Sequence, residues 1–122
     1  METAKRIHEQ ILGQKEFRIS SATEFTWDTL YIITPYSSSR ELMRKDSTIQ
    51  LGSVAAKKID LSFRDDAVAL VFIHKKRTVA YCIYLRKWGD FTNFTSFLNP
   101  ISNSNDCCVT NIETNEIHHC LY

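Results

Sequence analysis

The stretch AVALVFIHKKRTVAYCIYL, residues Ala67 to Leu85, decides how this chain folds. It holds two runs rich in β-branched and aromatic residues, AVALVFIH and TVAYCIYL, on either side of Lys75-Lys76-Arg77. Both runs have strand length and strand composition, so the pattern predicts a central antiparallel hairpin with a basic tip. Upstream, Arg64-Asp65-Asp66 makes a polar turn. Before that, Ile59, Leu61 and Phe63 alternate with Lys58, Asp60, Ser62 and Arg64, which predicts a half-buried strand.

The next signal upstream is FTWDTLYIITPY, Phe25 to Tyr36. Phe25 and Trp27 share one strand face. From Leu30 to Ile33 both faces are apolar, as expected of a strand inside the sheet rather than on its edge. Pro35 cannot donate to a ladder and ends the strand. Trp27 is expected in the core, and Asp28 is expected to accept hydrogen bonds where the strand begins. Ser38 and Glu41 then fit the S-x-x-E capping box, which predicts a short helix from near Ser39 with Leu42 and Met43 on its buried side. At the N-terminus, Thr3 caps a helix over Ala4 to Leu12, with Gly13 as its stop. Phe17 and Ile19 predict a short strand.

Downstream of the hairpin, Phe91, Phe94, Phe97 and Leu98 recur every three or four residues. This predicts either a short helix capped by Asp90 and ended by Asn99-Pro100, or a packed irregular loop. Ile101 to Asp106 is polar and reads as a surface loop. Cys108 to Ile112 and Ile117 to Tyr122, joined by a turn, read as a last hairpin. The sum is one α+β domain over residues 1–122, mainly antiparallel sheet, with an N-terminal helix and one or two short helices.

A chain of 122 residues with 43% hydrophobic and 24% charged residues can bury an adequate core unaided. Its formal net charge of +1, from 15 basic and 14 acidic residues, lacks the basic excess of a dedicated nucleic-acid binder. The longest apolar runs, Ala67 to Ile73 and Val79 to Leu85, are seven residues each, far short of a membrane span. The first residues read as an amphipathic helix rather than a secretory signal, so the expectation is a cytoplasmic protein whose four cysteines are reduced thiols.

Few constellations suggest chemistry. Cys107, Cys108, His118, His119 and Cys120 cluster in sequence, but neighbours on a strand point to opposite faces. At most His118 and Cys120 with one facing cysteine share an ion, with Cys82 as a fourth donor. The preferred reading is structural thiols, no metal and no cofactor. No nucleophile elbow, Walker loop or H-E-x-x-H is present, and no catalytic residue is assigned: the expectation is a non-enzyme without a small-molecule ligand. The basic tip with Tyr81, Tyr84, Arg86, Lys87 and Trp88 offers an alternative nucleic-acid face, although Tyr81 and Tyr84 fall on opposite strand faces.

The element F-x-W-D-x-x-Y-x-x-x-P-Y, here Phe25, Trp27, Asp28, Tyr31, Pro35 and Tyr36, resembles one found in small bacterial proteins. In these a strand carrying W-D and Y leads into P-Y-[ST] and a capped helix. The chain resembles the immunity proteins of contact-dependent growth inhibition and polymorphic toxin systems. The resemblance implies a protein that binds and neutralises a cognate toxin domain, a nuclease, by covering its active site. It transfers no catalytic residues. For a basic nuclease cleft the expected anchors are acidic and aromatic: Asp65, Asp66, Trp88 and Asp90. The alternatives are the nucleic-acid face at residues 75–88 and a small hydrolase whose residues the sequence does not pair.

Overall fold

The structure is a computed structural model that describes residues 2–96 and 98–120. Phe97, and the end of the expected last hairpin at Leu121 and Tyr122, lie outside the described residues. The elements are α1 (Glu2–Gly13), β1 (Glu16–Arg18), β2 (Thr29–Ile33), α2 (Ser39–Lys45), α3 (Ser53–Lys58), β3 (Ala67–His74), β4 (Arg77–Leu85), β5 (Ile101–Ser102), β6 (Cys107–Asn111) and β7 (Glu116–His119). They form an α+β fold with two antiparallel sheets where the sequence suggested one. The larger runs β4-β3-β2-β5 and the smaller β1-β6-β7.

The hairpin of β3 and β4 forms as predicted, but only β3 is central. Its residues Ala67 to Ile73 are all buried, whereas β4 alternates and buries only Cys82 and Tyr84. A strand buried on both faces needs two covering layers. Val68, Leu70 and Phe72 pack with Ala4, Ile7, Trp27 and residues of the smaller sheet, including Phe17, Cys108 and Ile117. Ala69, Val71 and Ile73 face the other way, onto Leu42, Ile49, Ile59 and Leu61. Each fully buried large side chain here contributes roughly 1.5–3 kcal/mol of transfer free energy, so β3 is the main hydrophobic anchor of the fold. The strand β2 lies between β3 and β5, inside the sheet as its apolar run predicted.

Ser38 and Glu41 form the predicted capping box. The Ser38 hydroxyl accepts from Arg40 N–H at 3.2 Å and Glu41 accepts from Ser38 N–H at 2.7 Å. Leu42 is fully buried and Met43 partly so.

Three local expectations are corrected, and one pair of alternatives is resolved in favour of the packed loop at 90–96. Residues 59–63 are not a strand: Asp60 accepts from Ser62 N–H at 2.9 Å, the chain turns, and Phe63 is 98% exposed although Ile59 and Leu61 are buried. Ile19 begins a single 3-10 turn instead of extending β1. Residues 90–96 form turns, not a helix, with Phe91 and Phe94 buried edge to face. Ile101 and Ser102 pair with β2, and Asp106 is fully buried, so 101–106 is not a plain surface loop. The Asp106 carboxylate accepts from Arg18 Nε at 2.8 Å and Ser20 N–H at 2.6 Å, tying the two sheets' connections together.

Among the described residues, no helix is long and apolar enough to cross a membrane.

Candidate protein-docking face

The two ends of the larger sheet are built differently. At one end β3 turns into β4 through Lys75 and Lys76, both in the left-handed region at φ 49° and 67°. A two-residue hairpin of this twist favours Asn-Gly, and a non-glycine residue there costs about 1–2 kcal/mol. Neighbouring groups offset that cost. Asp28 accepts from Lys75 N–H at 2.7 Å and from the Thr29 hydroxyl at 2.8 Å, as foreseen for that carboxylate. These bonds, led by the Lys75 N–H, hold Asp28 below the ordinary carboxylate range. Lys76 ion-pairs with Asp46, whose pKa falls to about 2 through that contact and two bonds from Thr48. Gln50 N–H donates to Lys76 O at 2.7 Å, and Thr78 N–H to Gln50 O at 3.0 Å. The basic tip is thus a clamp, and of the tyrosines beyond it Tyr84 is buried.

At the opposite end, β2 leaves the sheet through Thr34-Pro35-Tyr36-Ser37, closed by Ser37 N–H to Thr34 O at 3.2 Å. Tyr36 has φ 65°, at the turn position after proline that favours glycine. Its N–H is shared between Leu61 O at 2.9 Å and Arg64 O at 3.1 Å, which fixes it against the turn that presents Phe63. Tyr36 is nevertheless 66% exposed.

Three of the four predicted anchors converge on Arg86 at this end. Its Nη1 donates to Asp65 O at 2.7 Å, its N–H to Asp66 O at 2.9 Å, and its guanidinium grips Asp90 at 3.0–3.2 Å. Asp90 also accepts from Thr92 N–H at 2.9 Å; burial pushes its carboxyl up, but Arg86 and Thr92 together bring it below the ordinary range. Asp66 pairs bidentately with Arg64 at 2.8 and 3.0 Å and is held low by it. Asp65 and Asp66 are exposed. Trp88, the fourth anchor, lies half-buried against Tyr84 and His8, at centroid distances of 5.6 and 5.7 Å. Next to it Gly89 (φ 149°) leaves no room for a side chain, since a Cβ would fall 2.7 Å from Ile117 Cδ1. So Asp65 and Asp66 stand on the surface beside Tyr36 and Phe63, Asp90 is joined to them through Arg86, and Trp88 packs on the other core cluster, away from this face.

Sequence reading missed Phe63 and Tyr36 as surface groups. Asp60-Leu61-Ser62 carries the turn signal that expels Phe63.

The cysteine and histidine set is divided. Cys82 and Cys108 are buried in the core, and burial pushes the Cys82 thiol up to about 12 and the Cys108 thiol higher than its ordinary value. Such thiols are poor ligands and nucleophiles. Contrary to the expectation of four reduced thiols, Cys107 and Cys120 are joined in a disulfide. The histidines are dispersed: His8 packs on Trp88, His74 Nδ1 lies 3.5 Å from Asp28, His118 bonds Glu116 at 3.2 Å, and His119 bonds Asn105 O and stacks on Phe94. An open groove of about 1090 Å³ separates the end of α1 from the β6–β7 hairpin, with Leu12 and Ile112 exposed on its rim.

No protein family, curated protein or solved structure matches this chain.

Proposed function

We propose that this protein is a protein-binding inhibitor of the immunity type, which neutralises a cognate toxin domain through the face formed by Tyr36, Phe63, Asp65 and Asp66. One observation carries the reading. Tyr36 occupies a left-handed turn position that a bulky residue adopts at a cost, and the residue is two-thirds exposed, so burial of its side chain offsets little of that cost. An outlier of this kind with an exposed aromatic side chain supports reading the turn as a functional surface.

The surroundings fit docking. A fully exposed Phe63 sits on an adjacent turn closed by backbone and Asp60 bonds, so both rings are presented on rigid supports and lose little freedom on binding. Aromatic anchors with charged neighbours are the groups that dominate interface energetics. The carboxylates of Asp65 and Asp66 suit a basic cleft such as that of a nuclease, and would speed association with it. The toxin and nuclease parts of this proposal rest on the resemblance of the Phe25–Tyr36 element, the docking part on the geometry.

The test uses the toxin domain encoded beside this chain's gene. Purified protein added to that domain should abolish nuclease activity at one equivalent and form a 1:1 complex by size-exclusion chromatography with light scattering. Full toxin activity in the presence of excess protein would remove the immunity reading. Inhibition that survives the double substitution Tyr36→Ala/Phe63→Ala would remove this face from it.

A further inference from the structure

The outward face of the smaller sheet carries a second, separate feature. Phe17, Cys108 and Ile117 point to the core, so strand alternation places Glu16 of β1, Cys107 of β6 and His118 of β7 on the opposite side. Cys120, two residues after His118, has the same parity, and its N–H donates to Cys107 O at 3.1 Å. The Cα atoms of Cys107 and Cys120 are 5.4 Å apart. Glu16 Oε1 lies 3.4 Å from Cys107 Sγ, and one donor atom from each of Glu16, Cys107 and Cys120 falls within 4.8 Å of the others.

We propose that, once reduced, Cys107 and Cys120 together with Glu16 and His118 form a Zn²⁺ site, and that the disulfide is its closed form. Reduction by a dithiol transfers two electrons and two protons to the Cys107–Cys120 bond, giving two thiols while the reductant leaves as a disulfide. Zn²⁺ binding then displaces the two thiol protons and forms two Zn–S bonds.

The geometry suits this exchange. Tetrahedral zinc with Zn–S near 2.3 Å holds its two sulfurs about 3.8 Å apart. Cα atoms 5.4 Å apart on hydrogen-bonded segments reach that spacing by side-chain rotation, with no change in strand register. Glu16 supplies a carboxylate already beside the sulfurs. His118 is half-exposed, and its Nε2 lies 3.2 Å from Glu116, so the second ring nitrogen is oriented by a carboxylate in the way zinc-ligating imidazoles commonly are. The cation nearest in register, Arg18 opposite Cys107, is drawn off by Asp106 and Asn103 O, each at 2.8 Å. This set differs from the one the sequence suggested: Glu16 replaces Cys82, which is buried in the core.

The experiment starts from metal-free protein reduced with a phosphine. Zn²⁺ is titrated in competition with a chromophoric chelator, and Co²⁺ is used as a spectroscopic probe. The expected result is one equivalent bound, with thiolate-to-cobalt charge transfer in the near ultraviolet and intense tetrahedral d–d bands. Glu16→Gln and His118→Ala should each weaken binding about tenfold or more. Unchanged affinity in either variant removes that residue from the site. The same chain oxidised with diamide keeps its fold but has no thiols here, and should bind no Zn²⁺. Equal binding by the oxidised chain, binding that persists in Cys107→Ser/Cys120→Ser, or no binding by reduced chain with native circular dichroism would each overturn the proposal.

Discussion

The two ends of the larger sheet carry the same local problem and resolve it differently. At the hairpin tip, Lys75 and Lys76 take left-handed backbone angles, and Asp28, Asp46 and Gln50 gather around them to satisfy the turn. At the far end Tyr36 takes the same kind of angle, its backbone is pinned by Leu61 and Arg64, and its ring is left to solvent. Strain that the fold compensates from within reads as architecture. Strain whose side chain is left largely to solvent supports reading that surface as kept for something else. By this measure the basic tip, the alternative nucleic-acid face, has a structural use in closing its own turn, and the proposed work of the molecule lies at the opposite end.

The contrast breaks most visibly in binding. Phe63→Ala is expected to weaken the complex about 30-fold or more, the size of an interface hot spot, while changing folding stability by less than about 0.5 kcal/mol because the ring packs on nothing. Tyr36→Gly sharpens the point further. It removes a left-handed bulky residue, so the thermal midpoint should hold or rise even as affinity falls. Calorimetric titration against the toxin domain and thermal melts of the same samples check both. A Tyr36→Gly protein that melts well below the parent would mean the ring has a structural role.

At the tip the effects should run the other way. Asp28→Ala removes a charge-assisted bond to a strained backbone N–H and should cost about 1–2 kcal/mol, seen as a shift of the denaturation midpoint at unchanged slope. Partner affinity should not move. A loss of affinity with intact stability would place the tip in the interface.

How far this contrast was legible in sequence depends on the range of the forces involved. The hairpin, the inner strand β2, the Ser38–Glu41 capping box, the body of α1 (though Thr3 lies inside the helix and does not cap it) and Asp28's hydrogen bonding were legible because periodicity, proline and capping act over a few residues. That β4 is an edge strand was not, since alternation says which face is buried but not which strand lies beside it. Residues 59–63 misled by alternating perfectly while an Asp60 turn broke the strand. Asp106 looked like loop polarity, because its partners Arg18 and Ser20 are more than 80 residues away. Of the candidate anchors, Asp65 and Asp66 were found through turn chemistry, which exposes acidic residues; Tyr36 and Phe63 were not, because exposure of an aromatic residue depends on a backbone angle that composition does not reveal. Glu16 escaped the cysteine cluster for the same reason as Asp106: its proximity is created by strand pairing 91 residues apart.

Acid titration separates the ends further. Asp28 and Asp46 both have folded pKa values below their unfolded value near 3.8, Asp46 at about 2. The folded state therefore binds fewer protons than the unfolded state between those limits, and stability falls as pH falls. The clamp's contribution is complete above about pH 4 and is lost toward pH 2. Asp28→Asn/Asp46→Asn should melt below the parent at pH 7 and approach it as pH drops through this window. Curves that stay parallel would show that the clamp acts through shape, not charge.

The smallest effect tests the compensation itself. Lys75 carries the strain of a left-handed angle with its N–H tied to Asp28, and asparagine tolerates that angle better while keeping the same N–H. Lys75→Asn should therefore stabilise the chain by about 0.5 kcal/mol, leave the Lys76–Asp46 pair intact and offset the cost of Asp28→Ala by that same amount. If instead the gain grows when Asp28 is absent, the carboxylate had been relieving the strain at Lys75. The two residues would then have to be read as one coupled unit, with the turn dependent on Asp28 for its shape, whereas the Tyr36 turn at the other end is held chiefly by backbone bonds to Leu61 and Arg64.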